Sequence, residues 1–515
     1  MKRPSLVAGG SLQQRLQTAE AAWNVRDFHL CLDILETAHR LVPANTAVLL
    51  QIGRIHGLRY DYAAAERCFE QALRLAPQKT AMFTAIVDHC EHFRNPDLVE
   101  RYLRHLLTQP DATPQNCVKL AELCERLRRL PEAAELCERA LRLRPGFPAA
   151  LLVLARLERA AGRFEAAEQI LRSFITQSFP DFLTHAKAWY EMGNILDRQK
   201  KYDDAMKSFL NAKDLLRPHA AGLIAERKAF RARWKLIGEN VSSAQFQRWM
   251  ENLPALAPAR RLALLCGHAR SGTTLLEQVL DSHPDIVSAE ETEVFSAEAF
   301  APLKRNAPPD AYMLPILEAA SLPTLQQLRA AYFHSMELLI GGPIAERLLI
   351  DKNPMAVFMI PAYVRIFPET KFLIALRDPR DVVLSCFTQL PALTQATSAY
   401  LNLESTAEDY AGMMTLWRAL APLVEERYVK VRYEDMVENL EPVARKTLDF
   451  LGVPWDDRVL GFDEHARKKM VISPTYADVT QKIYKRARGR WRNYQKYMEP
   501  SLPILEPFMK AFGYE

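Results

Sequence analysis

The sequence predicts an α-helical solenoid of repeats followed by an α/β domain with a mostly parallel sheet and a P-loop-like anion-binding loop. Three observations carry that expectation. Alanines and prolines recur with a period near 34 through the first two hundred residues. An apolar run, a glycine-bracketed loop and a helical stretch follow one another across residues 262–282. Beyond them, short apolar runs alternate with amphipathic segments. A chain of 515 residues has room for two or three domains with well-buried cores.

In the repeat region, residues 10–218, Ala38 and Ala72 stand 34 apart and Ala140 follows at twice that interval. Each has a proline five residues later, at Pro43, Pro77 and Pro145. Aromatic residues precede them at Phe28 and Tyr62, with variants at Phe164 and Tyr202. Stacked helix pairs need this composition: small residues allow close approach, aromatics fill the space between pairs, and proline ends the second helix. Period and pattern resemble tetratricopeptide repeats, roughly five or six of them, with the register weakest near 95–118 and 170–190. Such arrays commonly hold a peptide or partner protein, so a protein partner is expected; stacking alone explains the same residues, which makes a spacer the competing role. The arginines of 126–129 read as a solvated face. Residues 219–258 read as a helical linker. Pro254, Pro258 and the change to an apolar run put the domain boundary near 258, with the α/β domain over 259–515. A fragment from about residue 225 onward is therefore expected to bind its small ligand and to lose activity on a macromolecule.

Charged residues at 25% and hydrophobic ones at 49% describe an ordinary globular protein. A net charge of +5 permits an anionic ligand and gives no reason to propose nucleic acid. The eight cysteines contain no C-x-x-C and fall mostly on helix faces, which favours reduced thiols and a cytoplasmic location. His89-Cys90-Glu91-His92 lacks a second cluster to complete it, so no metal is expected. The first seventeen residues have only a three-residue apolar run, and no window approaches 18 apolar residues; neither a secretory signal nor a membrane span is expected.

The loop Gly267-His268-Ala269-Arg270-Ser271-Gly272-Thr273-Thr274 lies between an apolar run and a helix. That order gathers backbone N–H groups and a helix start around one point, which favours phosphate or a similar anion. The P-loop pattern wants lysine where Thr273 stands, while Thr274 supplies the expected hydroxyl. The missing lysine would balance charge on β and γ phosphates, so an ordinary nucleotidase is disfavoured. Arg270 offers instead a planar fork for a tetrahedral anion. The later apolar runs, at 286–288, 348–351, 371–376 and 428–433, predict a parallel sheet with ligands at the carboxyl ends of its strands.

The string RSGTTLLEQVLDSHPDIVSAEET, residues 270–292, resembles the donor-binding start of sulfotransferases, in particular the tyrosylprotein sulfotransferases. That resemblance covers residues 259–515 through several ordered motifs. It implies 3′-phosphoadenosine 5′-phosphosulfate as donor, without a metal, held by Arg270, Ser271, Gly272, Thr273 and Thr274. It also implies that Arg377 and Ser385 grip the donor's 3′-phosphate, where a capped turn with an ion pair would otherwise explain Arg377-Asp378. Tyr433 matches a position near the donor and reads equally as a core tyrosine. GRWRNY at 489–494, with SPTYADVTQ at 473–481 upstream, resembles the terminal G-x-W-x-N segment, placing a donor contact among Arg488, Gly489 and Arg490. Glu291 matches the general base and Lys352 the transition-state lysine. One departure stands out: Glu293 occupies a position where those enzymes carry arginine.

The implied activity is sulfonyl transfer to a hydroxyl acceptor, with protein tyrosine the acceptor class of the tyrosylprotein branch, and with the repeats holding acceptor or partner. Two other readings remain at this level: a P-loop small-molecule kinase, and a non-catalytic scaffold that binds a nucleotide. His268, inside the loop, is the second candidate base because histidine titrates near neutrality.

Overall fold

The computed structural model describes residues 11–90, 93–177, 181–256, 258–305, 307–308, 311–390, 392–468 and 482–514. Glu91 and His92 of the histidine-cysteine cluster, and the whole of the 473–481 motif, lie outside the described residues. Packing divides the chain into two compact units. One joins Met1–Leu157 to Glu293–Ala311 and Ala319–Pro343; the other holds Glu158–Thr292, Tyr312–Glu318 and Ile344–Glu515.

Twelve described helices follow one another along residues 12–216. They are α1 (Leu12–Asn24) and α2 (Phe28–Leu41), α3 (Thr46–Leu58) and α4 (Tyr62–Leu75), and α5 (Lys79–Cys90) and α6 (Pro96–Leu107). Then come α7 (Pro114–Arg126) and α8 (Leu130–Leu143), α9 (Pro148–Ala160) and α10 (Phe164–Arg172), and α11 (Phe182–Arg198) and α12 (Tyr202–Leu216). The period is set at the turns. Asp27, Asp61, Asn95, Arg129 and Arg163 are the residues before the second helices, each 34 after the last. Asp27, Asp61 and Asn95 accept a hydrogen bond from the backbone three residues on, capping the helix. Just before them the chain reverses through a left-handed residue, at Arg26, Tyr60, Arg128 and Gly162. Ala38, Ala72 and Ala140 are fully buried, and their helices end two residues short of Pro43, Pro77 and Pro145. The stretch near 95–118, where the sequence register weakens, is filled by α6 and the start of α7.

The first unit also takes in a segment far along the chain. Ala297 sits in the same apolar core as Phe28, Ile34, Ala38 and Val48. Asp27 accepts two 2.6 Å bonds from Arg305 besides capping α2. Glu298, 2% exposed, accepts from Arg59 at 2.9 Å and pairs with His29. Glu293 pairs with Arg26 at the surface, 3.2 Å away.

In the second unit, β1 (Leu262–Gly267), β2 (Ile286–Glu290), β3 (Leu348–Lys352), β4 (Lys371–Leu376) and β5 (Tyr428–Arg432) form a sheet of order β2-β3-β1-β4-β5. All four neighbouring pairs are parallel, with Leu264 between Asp351 and Phe372. β1, β2 and β3 are buried along their whole length, the pattern of a sheet covered on both faces. The chain leaves β1 for β2 on one side and leaves β4 for β5 on the other. The crevice between β1 and β4 is therefore the topological switch point, the usual ligand position in such sheets. Against the sheet's helices packs α13 (Ala221–Asn240), where the sequence expectation had a linker. Its Arg227 makes a two-pronged bond, 2.7 and 2.6 Å, to the fully buried Asp409. A cut at residue 225 falls inside α13 and removes α11 and α12 from the unit they share with the sheet. Among the described residues no helix is long and apolar enough to cross a membrane.

Candidate active site

β1 ends at Gly267, with φ +148°. A Cβ there would lie 2.3 Å from the carbonyl oxygen of Ala375 on β4, so only glycine allows the two strands this approach. The loop then turns through Arg270 at φ +71° and Gly272 at φ +89° into α14 (Thr273–Asp281). Ser271 donates its backbone N–H to the His268 carbonyl at 3.2 Å.

Four of the predicted donor residues gather around this loop. Arg270 donates from Nε to Ser385 Oγ at 3.1 Å. Ser385 lies on α15 (Pro379–Phe387), which follows β4. Arg377, at the end of β4 and 7% exposed, donates to the Arg270 carbonyl at 3.0 Å and to the Ala487 carbonyl. Its guanidinium lies 4.8 Å over the ring of Tyr433, a cation–π contact. One guanidinium N–H, at Nε, is buried without a hydrogen-bond acceptor, which suits a site built to receive an anion. Tyr433 opens the helix after β5 and is itself 8% exposed; it packs both in the core and against the loop.

Gly272 is crowded as well. A Cβ would meet Tyr433 Cδ2 at 2.6 Å, on top of the left-handed φ. Gly272→Ala is therefore expected to cost roughly 1–3 kcal/mol of stability, measured by denaturant unfolding. A variant as stable as the wild type would show that the loop gives way freely.

A second cluster sits at the ends of β2 and β3. Lys352 is fully buried, with Nζ 2.7 Å from Glu291 Oε1, 3.4 Å from Glu290 Oε1 and 3.5 Å from Glu277 Oε2. It also donates to Thr274 Oγ1 at 3.4 Å, which ties it to the anion loop. Burial by itself would lower the lysine pKa; Glu277, then Glu291 and Glu290, outweigh it and hold the ammonium charged well above its ordinary value. Glu291 stands just past β2 at φ +47°, an uncommon conformation for a side chain of this size, and donates its backbone N–H to the Lys352 carbonyl. Its side chain is 38% exposed, whereas those of Glu277 and Glu290 are buried. Of the three carboxylates it alone meets solvent to that degree.

His268 is fully buried, with Nδ1 3.0 Å from the Ala269 carbonyl and Nε2 4.0 Å from Asp409. Burial pushes its pKa down. It faces the core beneath the loop.

The terminal basic segment divides. Gly489 and Trp491 both donate their backbone N–H to Asp381, at 2.6 and 2.9 Å. Arg488 points away to Glu438 at 3.0 Å, with half its side chain exposed. Arg490 reaches Thr388 and Asp197. Sequence reasoning missed Glu277, Asp381 and Asp197. Glu277 stands one helical turn after Thr274, and Asp381 one turn after Arg377, so both could have been found from spacing. Asp197 carries no local signal.

An α/β unit with an anion-favouring loop at its switch point belongs to a broad class of group-binding domains. Comparison narrows it. Residues 263–457 match the sulfotransferase family, and residues 46–79, 127–181 and 186–215 match tetratricopeptide repeats. The chain carries tetratricopeptide repeats and a domain of the sulfotransferase family. An uncharacterised protein of Aquifex aeolicus is 24% identical over 353 residues, 66% of this chain and 44% of its own length. Protein-tyrosine sulfotransferase 1 of Danio rerio is 26% identical over 267 residues, 49% of this chain and 72% of that protein. The protein-tyrosine sulfotransferase of Drosophila melanogaster is 30% identical over 216 residues, 40% of this chain and 41% of that protein. The chain thus spans less than half the length of two of these three relatives. Among solved structures, a sulfotransferase domain from the Synechococcus PCC 7002 olefin synthase is 21% identical, covering 49% of this chain and 96% of that one at a TM-score of 0.33.

Proposed function

We propose that this protein transfers a sulfonyl group from 3′-phosphoadenosine 5′-phosphosulfate to a hydroxyl of a protein acceptor, tyrosine foremost. The observation that carries this reading is the Lys352 cluster. A buried, charged lysine touches both a partly exposed carboxylate, Glu291, and the hydroxyl of Thr274 in the anion loop. In the proposed reaction the acceptor oxygen attacks sulfur in line, a new S–O bond forms, and the bond from sulfur to the bridging phosphate oxygen breaks. Glu291 takes the acceptor proton, while Lys352 and the loop N–H groups offset the charge that develops on the departing phosphate. Arg377 and Ser385 are assigned to the 3′-phosphate, with Arg270, Ser271, Gly272, Thr273 and Thr274 around the phosphosulfate. The tetratricopeptide repeats are assigned to acceptor or partner, as the relatives' protein substrates suggest. The eight cysteines are free and seven are buried, which fits a reducing, cytoplasmic setting for this activity.

The test is ligand stabilisation. 3′-Phosphoadenosine 5′-phosphate at about 100 times its dissociation constant should add about 2.7 kcal/mol to stability, and ATP, which lacks the 3′-phosphate, far less. Arg377→Ala should abolish the difference. Equal shifts with the two nucleotides, with magnesium-dependent ATP turnover, would replace this reading by a small-molecule kinase. Nucleotide binding without sulfonyl transfer to any phenol, amine or peptide in a labelled-donor assay would favour a scaffold.

A further inference from the structure

The last repeat reaches into the neighbourhood assigned to the donor. Asp197, the penultimate residue of α11, accepts from Arg490 Nε and Nη2 at 3.3 and 3.1 Å, and from the Tyr494 hydroxyl. The third guanidinium nitrogen of Arg490 donates to Thr388 Oγ1 at 3.0 Å. Thr388 caps α15 three residues past Ser385. The second helix of the same repeat holds the same place: Lys213, 2% exposed, donates to the Gln389 carbonyl at 2.6 Å. On its other side the terminal segment hangs from Asp381 through Gly489 and Trp491, and from Arg377 through the Ala487 carbonyl.

Residues 490–494 form only a short 3-10 turn. Such a turn has little stability of its own, so its partners must supply its order. Asp197 is the acidic partner that Arg490 has in this network. Arg490 is thereby committed to fixing the segment, through Asp197 on one side and Thr388 on the other.

We propose that Asp197 is a positioning residue for donor binding, holding Arg490 and Tyr494 so that the terminal segment stays docked beside Arg377 and Ser385. This rests on the sulfotransferase reading and extends it: the final tetratricopeptide repeat is a structural part of the donor site, and residues 158–216 cannot be removed without cost to it.

The experiment uses the full chain with Asp197→Asn, Arg490→Gln and the double variant, and 3′-phosphoadenosine 5′-phosphate as probe. Asp197→Asn should weaken binding roughly tenfold or more. The donor KM should rise with it while the acceptor KM stays put, and hydrogen exchange should quicken across residues 485–494. The double variant should bind no worse than Arg490→Gln alone, since both changes cut one link. Should Asp197→Asn fail to fold, Tyr494→Phe removes a single donor to the same carboxylate and should show a smaller loss of the same kind. Wild-type binding with an Asp197→Asn affinity within twofold of it overturns the role of Asp197 alone. A wild-type chain that does not bind the probe overturns the sulfotransferase reading, and the donor role of Asp197 with it.

Discussion

Glu291→Gln should slow sulfonyl transfer by about 100-fold or more, the usual scale for losing a general base, while 3′-phosphoadenosine 5′-phosphate binds nearly as tightly as to the wild type. The amide keeps the shape of the side chain and removes its ability to accept the acceptor's proton. Lys352 stays charged because Glu277 and Glu290 still flank its ammonium, so the anion loop keeps the cation beside Thr274. His268→Asn should cost much less, because His268 is sealed in the core with its ring against a backbone carbonyl and the Arg227–Asp409 pair beneath the loop. Steady-state kinetics on the two variants decide between them: a dead histidine variant beside a nearly intact Glu291→Gln would move the base to His268.

Arg227→Leu should lower stability by about 3–5 kcal/mol. The side chains of Arg227 and Asp409 are 5% and 0% exposed, and the guanidinium also lies 4.6 Å over Trp234. Truncating the arginine strands a carboxylate with no water to solvate it, close to His268. Replacing both residues by leucine should recover much of the loss, since an apolar pair of similar volume carries no buried charge. Urea unfolding of the two single variants and the double one measures this directly. If Arg227→Leu unfolds at the wild-type midpoint, α13 is only a tether and the pair is ornamental to the fold.

The repeat period was legible because each helix pair repeats one steric problem, and Ala38, Ala72, Ala140 and their trailing prolines are its local solution. The strand ends were legible for a similar reason: a parallel sheet puts its ligands at one edge, so Arg270, Glu291, Lys352 and Arg377 could be placed there from short apolar runs. What the sequence did not reveal is choice of partner across long separations. Nothing around Asp197 marks it as the acceptor for Arg490, 293 residues later. Arg488 and Arg490 look alike in the basic run, yet one goes to Glu438 and the other to Asp197. Likewise α13 reads only as part of a helical linker, because a buried ion pair leaves no periodic trace. Periodicity reports which face is apolar and is silent on which charged group will meet which.

The joining of Glu293–Ala311 to the first repeats bears on how the chain is made. Ala297 completes a core that otherwise consists of residues from α1, α2 and α3, and Asp27 and Glu298 find their arginine partners across the same gap. During synthesis at about 5–20 residues per second, Ala297 follows Ala38 by a delay on the order of tens of seconds. Over that interval the opening repeats stand outside the ribosome with an apolar face uncovered and a buried-to-be carboxylate, Asp27, still solvated. The N-terminal end of the solenoid is thus completed long after it is translated, and a holdase that shields it in the meantime would act on the nascent chain at this place.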